Sequence, residues 1–354
     1  MMSRAIRTRG GGRGTGRPTL EEVAARAGVG RGTVSRVING SPGVSDRTRA
    51  VVEAAVAELG YVPNRAARAL AANRTDAIAL VVPEPEDRFF AEPYFSDMVR
   101  GVSAALADTD MQLLLTLAGS DRERRRLAQY LAAHRVDGVL LVSVHADDSI
   151  PDMLEDLSIP AVISGRRSAA ETLAAVDSDN FEGARDAVTH LASRGRRRIA
   201  TITGRLDVYG AQCRLEGYRA ALAASDLAAE PDLIARADFT EEGGRRAMRE
   251  LLERRPDLDA VFAASDVMAA GARQVLREAG RRIPDDVALV GFDDSAVARH
   301  MDPALTSVRQ PIEEMGRTMA TVLLQEITGA TGEGGTGERP QIVLPTELVV
   351  RDSS

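Results

Sequence analysis

Residues 28–40 read GVGRGTVSRVING, with arginines at 31 and 36 and only glycine, threonine, valine and serine between them. Val34, Val37 and Ile38 recur at helical spacing and turn one side inward, and Asn39-Gly40 ends the run. Upstream, Thr19-Leu20-Glu21-Glu22 is a capping box that opens a helix with Leu20, Val23, Ala24 and Ala27 on one face and Gly28 as its stop. Downstream, Ser45 caps a third helix whose stripe is Val52, Ala55, Val56 and Leu59, closed by Gly60. A helix, a tight glycine turn and a short second helix of small residues predict a helix-turn-helix, whose second helix lies in a DNA major groove. Arg31 and Arg36 fall on its outer side, within reach of base edges and phosphates, and the small residues let the helix approach the groove floor. The same pattern would also suit a three-helix protein-binding module with solvated arginines.

The charge of the 354-residue chain favours the nucleic-acid reading. Residues 1–75 hold 13 Arg against 5 Asp and Glu, a net of +8, and the remainder carries −15. A basic end on an acidic body points to a polyanion at that end. The stretch MMSRAIRTRGGGRGTGRP at 1–18 has no apolar run after its charges, so residues 1–17 read as a disordered basic arm, neither an export signal nor an RNA-binding tail. No segment is expected to cross a membrane. All 45 basic residues are Arg, which excludes Schiff-base chemistry, Walker-type phosphate loops and Ser-x-x-Lys nucleophiles. Cys213 is the only cysteine, which excludes an intrachain disulfide framework and a cysteine-based zinc cluster and suits a reducing compartment. No two of His134, His145, His190 and His300 stand at ligand spacing, so neither metal nor cofactor is expected.

The runs VAARAGV (23–29), TVSRVING (33–40) and AELGYVPNRAARAL (57–70) closely resemble the head of the lactose-repressor and galactose-repressor family of transcription factors, a likeness that spans nearly all of 19–72. It implies a helix-turn-helix domain at 18–62 and a hinge helix and linker at 63–75, with Pro63 breaking the third helix, Asn64 capping the hinge helix and Leu70 wedging the minor groove at the operator centre. The DNA contacts implied are Thr19, Arg31, Gly32, Thr33, Ser35, Arg36, Asn39, Asn64, Arg65, Ala67 and Leu70. Two positions depart from the family pattern. Gly30 replaces a serine that caps the recognition helix, and Gly32 leaves one base-choosing position without a side chain, so Arg31 becomes the main candidate for direct readout.

From residue 76 the pattern changes to apolar strands alternating with amphipathic helices. AIALVVP (77–83), QLLLTLA (112–118), GVLLVS (138–143) and AVIS (161–164) read as buried parallel strands, and RIATITG (198–204), AVFAASD (260–266) and VALVGFD (287–293) as a second series. Two wound sheets are implied. LTSVRQP (305–311) is read as returning the chain to the first sheet, followed by a helix from Met315 to Ile327, a glycine-rich loop, and IVLPTELVV (342–350) as a closing strand. This is similar to the two-lobed α/β fold with parallel sheets that the family shares with periplasmic sugar-binding proteins. The expected effector-binding and dimerisation domain covers 76–354, with one lobe at about 76–176 plus 309–338 and the other at about 177–308 plus 339–354.

The resemblance also carries ligand contacts to this part of the chain. In VDSDNFEGAR (176–185) it places Arg185 against sugar hydroxyls; in Ala264-Ser265-Asp266 and Gly291-Phe292-Asp293-Asp294 it places Ser265 and Asp293. Phe239 takes the stacking position, and Tyr94, Phe95, Ser143 and Arg166 the first-lobe edges. Ligands of such folds bind at strand carboxyl ends between lobes. Paired Arg and Asp with an aromatic face favour a carbohydrate over a nucleobase. The whole reads as a cytoplasmic, homodimeric repressor of a palindromic double-stranded operator, released or engaged by a small effector. A transporter's solute-binding protein would need an export signal and no basic head. An enzyme would need a nucleophile or acid–base set, and no such motif stands in the sequence.

Overall fold

The structure, a computed structural model, describes residues 18–38, 43–61, 74–329 and 339–354. The chain forms two compact units that divide after Thr75. The arm at 1–17 lies outside the described residues, as do Asn39, Pro63, Asn64, Arg65, Ala67, Leu70 and most of the expected hinge.

The first unit is built from α1 (Leu20–Ala27), α2 (Arg31–Ile38) and α3 (Asp46–Leu59). Both halves of the capping box form: Thr19 N donates to Glu22 Oε2 at 2.7 Å, and Glu22 N donates to Thr19 Oγ1 at 3.3 Å. Gly28 then turns the chain at φ 66°, a left-handed conformation that a side chain would resist, and this turn sets α2 across α1. Val23, Val34, Val37, Val52 and Ala55 make the core, joined by Tyr61, which stands outside the apolar stripes read from the sequence.

The second unit has two lobes, each a six-stranded sheet between pairs of helices. In the first, β1 (Ala77–Val82), β2 (Gln112–Leu117), β3 (Gly138–Leu141), β4 (Ala161–Ser164), β5 (Ala174–Ser178) and β11 (Gln341–Leu344) lie in the order β11-β5-β4-β3-β1-β2. Both faces are buried at β1 and β3, which are apolar throughout instead of alternating, whereas the edge strand β2, expected to be buried, leaves Leu114 and Leu115 exposed. One face packs on α5 (Pro93–Leu106) and α13 (Ile312–Thr328), through Phe95, Met98, Met315 and Met319. The other packs on α6 (Asp121–Ala132) and α7 (Ile150–Asp156). A short α4 (Glu86–Ala91) precedes α5.

In the second lobe β6 (Ile199–Thr203), β7 (Ile234–Arg236), β8 (Ala260–Ala263), β9 (Ala288–Asp293), β10 (Thr306–Arg309) and β12 (Glu347–Val349) take the order β12-β10-β9-β8-β6-β7. The helices α8 (Asn180–Ser193) and α9 (Tyr209–Ala224) cover one face, and α10 (Glu241–Arg254) and α11 (Asp266–Glu278) the other. A short α12 (Ala296–His300) follows β9.

Three expectations about connectivity are corrected. Residues 305–311 do not return the chain to the first sheet: β10 pairs with β9 and β12 in the second, and the crossing comes at Gln310-Pro311. The segment 339–354 is not wholly in the second lobe, because β11 pairs with β5 in the first and only β12 joins the second. The closing run is thus two strands, with β12 antiparallel to β10. The strands β5 and β7 were also unforeseen; β5 reads AAVDS and β7 only IAR, too short or too polar at the end for a periodic signal.

Candidate functional site

On the helical head, Arg31, Gly32 and Arg36 are exposed on one side of α2, while Thr33 and Ser35 are half-buried. Arg31 is not free: its Nη1 lies 3.0 Å from Glu21 Oε1, with the arginine side chain 72% exposed. Such a solvated pair is worth little, so a phosphate or guanine can displace the carboxylate. Thr19, assigned to DNA, spends its hydroxyl's acceptor capacity on capping α1. At the start of α2 the carbonyl of Gly30 accepts from Thr33 and Val34, so the helix opens with no side-chain cap.

The body holds a cleft between its lobes with about 890 Å³ of unfilled space, part of it open to solvent, within the range of small-molecule sites. Its walls are the carboxyl ends of strands and the loops after them. Tyr94, Phe95, Ser143, Arg166, Phe239, Ser265 and Asp293 all line it. The Tyr94 hydroxyl is 2.7 Å from Ser164 Oγ. Ser265 caps α11 by accepting from Met268 N at 3.2 Å, which leaves its proton for another acceptor. Nε of Arg166 is buried with no partner among the described residues.

Arg185 is the exception and is corrected. It stands half-exposed on α8 in an ion pair with Glu182, one turn away on the same helix, and does not line the cleft. The reason is helical phase: Asn180, Gly183, Ala184 and Ala187 take the buried face of α8, which puts position 185 outside.

Arg214 does in the cleft what was expected of Arg185. It is buried on α9, its Nε donates to Asn180 Oδ1 at 2.8 Å, its Nη1 donates to the Ala264 carbonyl at 2.5 Å, and its guanidinium carbon lies 3.7 Å from the Phe292 ring centroid. Asp293 Oδ1 is 3.9 Å from the same Nη1. A signal existed in the sequence, since Ala211, Leu215, Tyr218 and Leu222 define the buried face of α9 and Arg214 interrupts it. A cation on an apolar stripe needs a buried anion or a ligand to face.

The carboxylates beneath Arg214 are held in an unusual state. Asp293 accepts from Gln310 Nε2 at 2.6 Å, and Gln310 in turn accepts from Ser178 Oγ at 2.5 Å. Burial pushes the Asp293 carboxyl above its ordinary range, against the pull of Arg214 and Gln310. Asp266 behind it, held by Ser307 and Ser295, is raised too, by burial and then by Asp293. Asp177 is raised by burial although it accepts from Ser178 N and Asn180 Nδ2. Backbone strain gathers at the same place: Ser143, Phe239 and Asp293 all have positive φ, at 60°, 68° and 111°, a conformation that persists only where its surroundings enforce it.

Phe239 owes its pose to a glycine. A Cβ on Gly204 would lie 1.9 Å from the Phe239 ring, so only glycine lets the ring lie flat against that loop. On the rim opposite, Arg88 of α4 sits with its guanidinium 5.5 Å from the ring centroid and its Nε donating to Glu92 at 2.7 Å. Cation, carboxylate, hydroxyl and aromatic face thus converge on one cavity, the donor and acceptor set that polyhydroxyl ligands require. Among the described residues, no cluster of His, Cys, Asp and Glu is arranged to hold a metal ion, and no helix is long and apolar enough to cross a membrane.

A basic three-helix head followed by a two-lobed body with a polar, aromatic-walled cleft defines a class: a one-chain regulator that joins a helix-turn-helix to a small-molecule sensor. Residues 19–64 match the model of bacterial regulatory proteins of the lacI family, and residues 188–354 match the periplasmic binding protein-like domain. The chain is 52% identical over 339 residues to the HTH-type transcriptional regulator CelR of Thermobifida fusca, covering 95% of this chain and 98% of that one. A solved complex of transcriptional regulator CelR with cellobiose superposes with a TM-score of 0.76 at 50% identity, over 96% of this chain and all of that one. The lac repressor dimer bound to operator superposes at 0.81 with 28% identity, over 95% and 98%. The chain belongs to the lacI family of bacterial regulatory proteins and is a DNA-binding transcriptional regulator.

Proposed function

We propose that this regulator is a cytoplasmic repressor that binds a palindromic operator as a homodimer and changes its operator affinity when a β-linked glucose disaccharide of the cellobiose type fills the cleft. One recognition helix reaches few bases, so two related by a two-fold axis read inverted half-sites. The observation that carries the effector reading is the arrangement of Arg214 between Asn180 and Asp293, with the Phe239 ring on the wall of the same cleft. Arg and Asp pair with adjacent hydroxyls, and the flat ring takes the apolar face of a pyranose. The cellobiose-bound relative at 50% identity supports this choice of sugar. The cleft reads as a binding site and not a catalytic one, since Asp177 and Asp293 are committed to Asn180 and Gln310.

Calorimetric titration with cellobiose, glucose and adenosine, alongside gel shifts on operators selected from random DNA, tests both halves. Saturating cellobiose is expected to raise the unfolding midpoint, because it binds only the folded state, and to change operator affinity, with inverted repeats among the selected sites. Arg36→Ala should weaken operator binding by about 1–3 kcal/mol and leave cellobiose binding unchanged. No heat and no midpoint shift at millimolar cellobiose would overturn the effector assignment.

A further inference from the structure

The three chain crossings between lobes lie together. They follow β5, β10 and β11, which occupy the first two places in their sheets, and they are tied to one another: Asp179 N donates to the Leu344 carbonyl, Thr346 Oγ1 to the Asp179 carbonyl, and Ser178 Oγ to Gln310. A two-lobed body with such a knot hinges there. On the far side, two strands from β5 at β3 and three from β5 and β10 at β1 and β6, the loops after β1, β3 and β6 meet across the lobe boundary. There, Ala146 N donates to the Asp207 carbonyl at 2.8 Å. His145 Nε2 lies 2.7 Å from Glu84 Oε1 of its own lobe, and Nδ1 lies 3.2 Å from Asp207 Oδ2 of the other.

We propose that His145 and Asp207 form a latch that holds the lobes closed and so sets the effector response, the two acting as positioning residues outside the ligand's reach. Two to three strand spacings are about 10–14 Å, so a hinge rotation of about 10° parts this contact by roughly 2 Å, enough to break it. Neither residue lines the cleft, yet both are wired to it. Ser143 on the cleft wall donates to Glu84 Oε1 at 2.6 Å, and Arg88, which faces Phe239, pairs with the same oxygen at 2.9 Å. Val144 and Val208, the chain neighbours of the latch residues, line the cavity itself.

The two ring nitrogens of His145 face carboxylate oxygens of different lobes, and Nδ1 is buried without the alignment of a hydrogen bond. The charged groups around the ring are Glu84 and Arg88 from the first lobe, Asp148 from its own loop, and Asp207 with its partner Arg205 from the second. Hydrogen bonds and charge from His145 and Arg88 outweigh burial to hold Glu84 below its ordinary range, and Arg205 does the same for Asp207. Both anions therefore stay ionised at neutral pH.

The inference rests on the reading that an effector closes this cleft, but its test does not. Amide hydrogen exchange of the full chain reports the latch directly at Ala146, with Ala118, whose N–H is bonded to Val82 inside the first lobe, as the control. In His145→Gln and Asp207→Asn, without ligand, Ala146 should exchange about tenfold faster or more while Ala118 is unchanged. Unchanged Ala146 rates in both variants, or equal acceleration at Ala118, would overturn the latch. Cellobiose should slow Ala146 exchange in wild type. If it does not, while the variants still open, the latch stands and the choice of effector falls.

Discussion

Replacing Arg214 with methionine separates the two roles that the cleft's central cation combines. The substitution keeps an unbranched side chain of similar length but removes the hydrogen bonds to Asn180 and Ala264, the face-on contact with Phe292 and the charge beside Asp293. Asp293 then remains buried without its cation, and breaking such a pair from one side costs about 3–5 kcal/mol. The sign with pH follows from linkage. Burial already raises the Asp293 carboxyl above its ordinary value, and losing Arg214 raises it further, so the folded variant holds a proton that the unfolded chain has released. Stability of the variant therefore falls as pH rises through that window, and its deficit against wild type is larger at pH 8 than at pH 5. Arg214→Met/Asp293→Asn removes both charges and should recover about 2 kcal/mol or more of the loss at pH 8, with cellobiose binding still absent. Urea unfolding of the three proteins at both pH values, with calorimetry on each, makes the comparison. A single variant within about 1 kcal/mol of wild type at pH 8, or a double variant less stable than the single one, would refute the reasoning.

Gly204→Ala places a carbon 1.9 Å from the Phe239 ring, so the ring must leave its pose; cellobiose affinity should drop by about 1–3 kcal/mol in calorimetry while sugar-free operator binding in gel shifts is unchanged. Glu92 is raised from 4.5 to about 7, first by burial and against the pull of Arg88, so its ionisation costs stability from pH 4.5 upward and in full above pH 7. Glu92→Gln should therefore be more stable than wild type by about 1–3 kcal/mol at pH 8 and lose that advantage near pH 4.5, as denaturation at the two pH values would show.

Much of the molecule is local and was therefore legible. The three helices of the head are written in their caps, stops and stripes: Thr19 with Glu22, Gly28, Ser45 and Gly60 each act within one or two turns of where they stand. The central strands β1, β3 and β8 are apolar because both faces of a parallel sheet are covered there, and that too shows in a linear window. What a strand pairs with is not local. The run at 342–350 looks like one strand, yet β11 finds β5 and β12 finds β10, since register is decided by partners well outside any local window, 38 to 166 residues away.

The same division runs through the cleft. Most wall residues were reached through the family resemblance, whose matching motifs Ala264-Ser265-Asp266 and Gly291-Phe292-Asp293-Asp294 stand at strand ends. Arg185 and Arg214 could not be ranked that way, because each lies inside a helix and only the rotational phase of α8 and α9 against the second sheet turns one outward and the other inward. The sequence by itself determined a helix-turn-helix on a basic head and two wound sheets behind it, since short-range hydrogen bonding and burial patterns encode both. Tertiary structure alone decided which arginine enters the cleft, that Phe239 rests on Gly204, and that His145 meets Asp207 across the lobes, because these contacts exist only once distant segments have packed together.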